Sequence, residues 1–204
     1  MDRTKTLHRI TGILIAVFAV VHLSNHAMAW FGIETHREIM EALRKVYRQP
    51  FVEILLICCF VFQVYSGIRQ AIYLKKKPIL TANDRLQLYS GLVFAYFIVQ
   101  HIGAVLFQRM YFKFDTDFYF AARVVLEVPF KFYFIPYYFS GIMALGMHIA
   151  ATHRKKSSSF ANQKWSDWPA LFVIFSTFLL ALVILYVFMG GRYAIIIPNQ
   201  YKVY

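Results

Sequence analysis

Residues 11–22, TGILIAVFAVVH, and residues 90–101, SGLVFAYFIVQH, share one pattern: a hydroxyl residue, a glycine, nine further residues and a histidine. Both stretches lie inside long apolar runs, which favours helices that cross a membrane. In an α-helix each histidine would lie ~15 Å along the axis from its glycine. If the two helices run parallel, His22 and His101 therefore lie at one depth in the bilayer.

The composition indicates a membrane protein. The chain is 59% hydrophobic and 19% aromatic, and its mean hydropathy is +0.51, whereas soluble domains are typically about half apolar. The formal net charge is +12, but the lysines and arginines cluster between the apolar runs, as the positive-inside rule predicts. We therefore expect an integral membrane protein that is surrounded by lipid and does not bind nucleic acid.

Five apolar segments are long enough to cross a bilayer core, which takes ~20 helical residues. They cover approximately residues 7–30, 51–74, 86–108, 130–152 and 169–189. No Ser/Gly-rich linker separates them. The sequence predicts an all-α fold in which residues 1–204 form a single domain, an integral membrane bundle of five transmembrane helices.

The distribution of basic residues predicts the orientation of this bundle. Clusters of them lie before the first segment, after the second and after the fourth, at Arg3, Lys5, Arg9, residues 75–77 and residues 154–156. Because cytoplasmic loops carry an excess of lysine and arginine, we predict a cytoplasmic N-terminus and a C-terminus outside, in the bacterial cytoplasmic membrane. Asp167, followed by Trp168 and Pro169, predicts a capped start for the fifth helix.

In this topology His22 and His101 both lie in the outer half of the bilayer. Two neutral imidazoles at matched depth are suited to bind the iron of haem b from opposite sides. Alternatively, each imidazole only bridges two helices through a hydrogen bond. His26 follows His22 by one helical turn and lies on the same face, so it is a candidate contact for a haem propionate or a quinone.

The inner half holds a single candidate ligand. His148 lies in the inner half of the fourth segment, and the antiparallel second segment offers Gln63 at the corresponding depth. An amide oxygen is a poor iron ligand compared with imidazole. His148 is therefore either a ligand of a second, inner haem or a hydrogen-bonding residue of the core.

The sequence contains four short motifs: His8-Arg9 followed by Thr11-Gly12, Val21-His22-Leu23, Leu86-Gln87 leading to His101, and His148 in the fourth segment. Together they resemble the membrane anchor cytochrome b subunit of succinate dehydrogenase and fumarate reductase, in its five-helix single-subunit form. The resemblance covers nearly the whole chain. It implies that His22 and His101 bind an outer haem and that His148 belongs to an inner pair.

The chain departs from this family at the inner pair. Residues 63–70, QVYSGIRQ, resemble the family signature His-x-x-x-Gly-Ile-Arg-His with both histidines replaced by glutamine. This replacement argues against an inner haem. One haem b is therefore expected, although the family carries two.

The resemblance also implies partners. A flavoprotein subunit and an iron–sulfur subunit would dock on the cytoplasmic face, and electrons would pass between them and menaquinone or ubiquinone in the membrane. The sequence contains no dinucleotide-binding glycine fingerprint and no cysteine cluster for iron–sulfur ligation. Its own contribution would be to anchor these subunits, bind the quinone and carry electrons through haem b.

Three charged residues are further candidates. Arg9 matches the family's His-Arg motif near the inner quinone pocket, although anchoring at the basic inner face explains it equally. Arg69 could contact a propionate or extend to the inner surface. Glu53 resembles in position the carboxylate that five-helix anchors use for proton transfer at an outer quinol site, whereas a helix-start acid favoured by the helix dipole is the alternative.

Two other functions fit the same residues. The first is a haem-free helical anchor or transport subunit whose histidines stabilise the bundle or relay protons. The second is a haem b membrane reductase that serves a different soluble partner. A reduced b-type α-band in the visible spectrum would eliminate the haem-free alternative, and co-purification of a flavoprotein would separate the other two.

One intact histidine pair and one lone His148 predict one haem b per chain. A pyridine haemochrome assay on the purified protein, normalised to protein content, should return this stoichiometry. Two haems per chain would show instead that Gln63 does not abolish the inner site.

Overall fold

The structure, a computed structural model, describes residues 3–157 and 163–201. These residues form helices and connecting loops, without a β-strand among them. The described part of the chain contains seven α-helices: α1 (Arg3–Met28), α2 (Ile33–Tyr47), α3 (Pro50–Lys75), α4 (Ala82–Phe107), α5 (Phe118–Leu126), α6 (Lys131–Ser157) and α7 (Gln163–Phe188). A π-helical turn over Gln108–Phe112 extends α4.

Five of these helices, α1, α3, α4, α6 and α7, are long and apolar enough to cross a membrane. This confirms the predicted number of spans and, within a few residues, their positions. Local chemistry explains two of the starts. Pro50 is the first residue of α3. A backbone N–H at this position has no acceptor within the helix, so the N–H that proline lacks costs no hydrogen bond. Thr81 caps α4 through a reciprocal pair of hydrogen bonds with Asp84.

The prediction that Asp167 caps the start of a helix is wrong, although the part of α7 that is apolar enough to cross a membrane does begin at Asp167. The backbone of α7 is already helical from Gln163, and Pro169 lies inside the helix. The Asp167 carboxylate lies 2.7 Å from the guanidinium of Arg154 on α6. The carboxylate that the sequence suggested as a helix cap therefore forms an ion pair between neighbouring helices.

The spans pack as antiparallel neighbours. Helix α6 contacts both α4 and α7, and α3 contacts both α1 and α4. The largest buried cluster joins Phe118 of α5, Ile142 of α6 and Val187 of α7. The C-terminal halves of α1 and α4 line one cavity, so these two helices point the same way, as the histidine spacing requires. We call the end of the bundle that holds these C-terminal halves the cavity end.

Two short helices, α2 and α5, fold across the cavity end and were not predicted from the sequence. Gly32, with φ of 137°, turns the chain from α1 into α2, a backbone conformation that residues with a Cβ rarely adopt. Asp117 caps α5 by accepting hydrogen bonds from the N–H groups of Tyr119 and Phe120, at 3.0 and 3.2 Å. Both helices bury one face against the spans.

Polar contacts fix α2 to the loop that precedes α5. The guanidinium of Arg44, which is buried, lies 3.0 Å from the Asp115 carboxylate. Arg48 donates to the hydroxyl of Thr116 at 3.3 Å. A buried guanidinium is stable only when it is paired, so these contacts hold the two covering segments together.

Helices α6 and α7 approach closely at Gly146, where an added Cβ would overlap the side chain of Thr177. The Thr177 hydroxyl donates to the carbonyl of Val173 at 2.8 Å, which restrains that side chain. We predict that Gly146→Ala lowers the free energy of unfolding by about 1–3 kcal/mol through overpacking. The Tm of the detergent-solubilised protein measures this loss.

Gly103 on α4 provides the matched control, because an added Cβ there would meet no described atom within 4 Å. Gly103→Ala should leave the Tm unchanged or raise it, since alanine favours a helix over glycine by about 1 kcal/mol. Equal Tm values for the two variants would contradict the close packing of α6 on α7.

Candidate functional site

A cavity of about 470 Å³ lies at the cavity end of the bundle. All five spans contribute to its wall, and α2 and α5 cover it. Most of its lining side chains are apolar, but four histidines reach it: His22, His26, His36 and His101. An enclosed apolar cavity with a few convergent polar groups is the usual form of a cofactor site.

The predicted pair, His22 and His101, meets at this cavity. Their ring centres lie 6.1 Å apart, and the ring planes are inclined by 71°. An imidazole nitrogen binds a transition metal at ~2 Å, so two imidazoles on opposite sides of one iron have ring centres about 6 Å apart. The separation in the structure is compatible with one iron between the two rings.

Each of these histidines is supported by a phenylalanine one turn earlier in its helix. Phe18 stacks on His22 with ring centres 5.6 Å apart, and Phe97 stacks on His101 at 5.2 Å, with interplanar angles of 15° and 14°. Both phenylalanines occupy the same place in the repeated stretch. The repeat therefore encodes the orientation of each imidazole as well as its depth.

His26 and His36 extend the cluster. The Nε2 atoms of His26 and His22 lie 3.2 Å apart, and His26 Nδ1 lies 3.2 Å from His36 Nε2. Asn25 is also within 3.4 Å of His36 Nε2. His26 thus contacts the predicted ligand His22 directly, and α2 carries a fourth imidazole into the site.

The sequence analysis missed His36. A signal was available, because His36, Met40 and Arg44 recur every four residues and form the buried face of α2. Such spacing places three side chains on one helical stripe. The mean hydropathy of α2 is too low for a membrane span. A search for apolar segments therefore passes over its buried stripe.

Three guanidinium groups also reach the cavity, those of Arg48, Arg109 and Arg123. Arg109, from the turn after α4, forms an ion pair with Glu53 near the start of α3, and both residues line the cavity. Arg48 lines it as well. By contrast, Arg9 and Arg69 are exposed, and neither is among the described residues that line the cavity. The sequence analysis singled out Glu53 and missed Arg48, Arg109 and Arg123.

At the opposite end, the side chains of Gln63 and His148 already have partners in the protein. The amide of Gln63 donates to the hydroxyl of Thr11 at 2.8 Å and to the carbonyl of His8. His148 Nδ1 lies 3.2 Å from the carbonyl of Gln87. This contact orients the imidazole of His148 and does not involve its Nε2, so both alternatives, an inner haem ligand and a hydrogen-bonding core residue, stay predictions.

The glycines of the repeated stretch receive these two side chains. A Cβ at Gly12 would lie 3.0 Å from Gln63 Nε2, and a Cβ at Gly91 would lie 3.0 Å from His148 Nδ1. The two glycines thus play equivalent roles in two antiparallel helix pairs. Glycine permits close helix contact within a membrane, which here allows a polar side chain to reach the backbone of its neighbour.

No family model, no curated protein and no solved structure matches this chain. Among the described residues, no group of three or more His, Cys, Asp or Glu side chains is arranged to hold a metal ion. Two imidazoles do not complete the ligand set of a metal, so a metal held by His22 and His101 would need further ligands from a bound group.

His36 makes the stability dependent on pH. Burial, with the charges of Arg44 and Arg37 nearby, lowers the pKa of His36 to about 4, whereas an unfolded imidazole titrates near 6.5. Between these values the unfolded chain binds a proton that native His36 does not. We therefore expect stability to be lost as the pH falls through this window, by about 3 kcal/mol near pH 4.

The Tm of the wild type and of His36→Gln, measured in detergent across this range, isolates the contribution of this residue. The difference between the two proteins should change most between pH 6.5 and pH 4, because glutamine does not titrate. Parallel curves for the two proteins would contradict a neutral, buried His36.

Proposed function

We propose that this chain is the haem b-carrying, quinone-reactive membrane anchor subunit of a succinate:quinone or quinol:fumarate oxidoreductase. The observation that carries the proposal is the pair His22 and His101, whose ring centres lie 6.1 Å apart at a mostly apolar cavity. The motifs that resemble this family include both residues. The proposal places the cavity in the outer half of the bacterial cytoplasmic membrane, with the N-terminus in the cytoplasm.

The residues of the cavity have complementary roles in this function. His22 and His101 would hold the haem iron, and the stacked rings of Phe18 and Phe97 keep the two imidazoles from turning. Haem b, when bound, accepts and donates single electrons. The apolar wall excludes water, which lowers the local dielectric constant and stabilises neutral imidazoles as ligands.

The charged residues at the cavity suit the remaining tasks. Arg48 and Arg109 present guanidinium groups, which bind carboxylates such as haem propionates through paired charge-assisted hydrogen bonds. Glu53 supplies a carboxylate beside the cavity, so it can accept a proton that a quinol releases there.

The opposite end of the bundle suits docking of the soluble subunits. It carries exposed basic side chains, among them Lys75, Lys76 and Lys156, which the positive-inside rule assigns to the cytoplasm. The flavoprotein and the iron–sulfur subunit would bind at this face. The chain anchors them, and quinone reacts within the membrane.

One observation favours a second candidate function, a haem b membrane reductase with a different soluble partner. The amide of Gln63, in the position of one ligand of an inner pair, donates to the carbonyl of His8 and the hydroxyl of Thr11, so Gln63 offers no imidazole opposite His148. An outer haem alone would be separated from a cytoplasmic iron–sulfur cluster by about half of a ~30 Å bilayer core. A soluble redox partner on the outer side would not be separated from the outer haem by this distance.

Replacing either ligand tests the proposal. The purified wild type should show the low-spin, b-type spectrum of a bis-histidine haem, and His22→Ala or His101→Ala should each abolish it, because one imidazole cannot supply both axial ligands. His153→Ala and His148→Ala serve as controls that keep the spectrum. A wild-type spectrum in both ligand variants would refute the assignment, and a protein without haem would refute the function.

Purification from native membranes separates the two candidates. The succinate dehydrogenase or fumarate reductase function predicts that a flavoprotein and an iron–sulfur subunit accompany the chain, detectable by flavin fluorescence and iron content. A haem-loaded chain that purifies with a soluble partner lacking flavin would favour the second candidate.

A further inference from the structure

The cavity reaches the lipid-facing surface between α4 and α6. Three polar side chains mark this place: Tyr96 and Gln100 on α4 and Tyr133 on α6. Tyr96 is 53% exposed and Tyr133 is 47% exposed, and Gln100 is also exposed. Gln100 and Tyr133 line the cavity as well. Side chains that are exposed and also line a cavity stand at its opening, and we call these three residues the crevice trio.

This opening faces lipid, because all three residues lie within helices long and apolar enough to cross a membrane. Hydrocarbon offers no hydrogen-bond partner to a polar side chain. Polar groups in such a place satisfy one another or bind a ligand. The donors and acceptors of the trio therefore either pair with one another or leave a group for a ligand.

The count leaves a donor without an acceptor. The hydroxyls of Tyr96 and Tyr133 lie 2.8 Å apart, and the amide of Gln100 donates to the Tyr96 hydroxyl over a longer 3.5 Å. The bond between two hydroxyls uses only one of the two phenol protons. Within the described part of the chain no acceptor engages the other proton, which in a membrane favours a ligand that supplies one.

A continuous series of aromatic rings connects the trio to the histidine pair. Tyr133 stacks on Tyr137 with ring centres 5.5 Å apart, and Tyr137 contacts Phe97 at 4.8 Å. Phe97 in turn stacks on His101 at 5.2 Å. The hydroxyl of Tyr137 donates to the backbone carbonyl of Phe97 at 3.0 Å, which holds α6 against α4 at this point.

We propose that the crevice trio binds the headgroup of a membrane quinone, which enters laterally from the bilayer between α4 and α6. The phenol proton and the amide of Gln100 donate to a ring carbonyl, and the apolar tail stays in lipid. A quinone matches the site because its carbonyls are acceptors without a proton of their own. A cation or a phosphate headgroup would not find its counter-charge here.

The electron transfer at this site depends on the proposed function. Oxidation of one quinol to the quinone releases two electrons and two protons. If His22 and His101 hold haem b, it would supply the one-electron acceptor for these electrons, and the carboxylate of Glu53, which lines the same cavity, would take up the protons one at a time and release them to water. The binding site itself does not depend on haem, so it can be tested separately.

Photo-crosslinking locates the site directly. An azido-quinone irradiated with the full-length protein in detergent should label peptides of α4 and α6 around Tyr96 and Tyr133, and excess menadione should suppress the labelling. Labelling confined to the surroundings of Glu53 and Arg109 would overturn the proposal. If the chain binds no haem but labels at the trio, the proposed function fails and the quinone site stands.

Conservative variants test the hydrogen bonds. In the haem-loaded protein, the double variant Tyr96→Phe/Tyr133→Phe should raise the apparent Kd for menadiol, measured from the rate of haem reduction, about tenfold, the effect of one lost hydrogen bond in an apolar site. Tyr65→Phe is the matched control, since Tyr65 is 60% exposed on α3.

The haem spectrum and Tm of each variant report whether it folds. An unchanged Kd in a folded double variant would overturn the proposal. A double variant that fails to fold leaves the decision to the crosslinking of the wild type. A tenfold loss that also appears in Tyr65→Phe would show a general effect of lipid-facing tyrosines and would count against the trio.

Discussion

The structure depends on the absence of water from the hydrocarbon core, where each polar side chain has to find its partner within the protein. Gln63 reaches the backbone of α1, and His148 reaches the backbone of α4. Glu53 pairs with Arg109 across two spans. Because these partners lie on neighbouring helices, they fix how far each span is shifted along the next, which apolar contacts alone specify weakly.

The repeated stretch places the residues of the candidate site under this constraint. In both copies a glycine accepts a polar side chain from an antiparallel neighbour, a phenylalanine follows two turns later, and a histidine closes the stretch. Since the glycine contacts set the depth of each helix, the two histidines arrive at the cavity together. The close packing at one end of the bundle and the histidine pair at the other are consequences of one pattern.

The covering helices complete the environment of the pair. Helix α2 brings His36 and Arg44 across the cavity end, and α5 adds the buried Phe118. The opening that remains lies toward lipid, at Tyr133 and Gln100. In the proposed function, this opening would admit a quinone from the bilayer.

The sequence by itself determined the five spans, because length and hydropathy decide whether a helix can cross a bilayer. It also determined the equal spacing of His22 and His101 from Gly12 and Gly91, because residues follow one another at a constant rise along a regular helix. Only the tertiary structure brought His36 to His26 and Arg109 to Glu53. These contacts depend on how α2 and the turn after α4 fold back over the bundle. Whether such a short amphipathic segment is buried depends on the surface that it covers. A hydropathy profile carries no information about that surface.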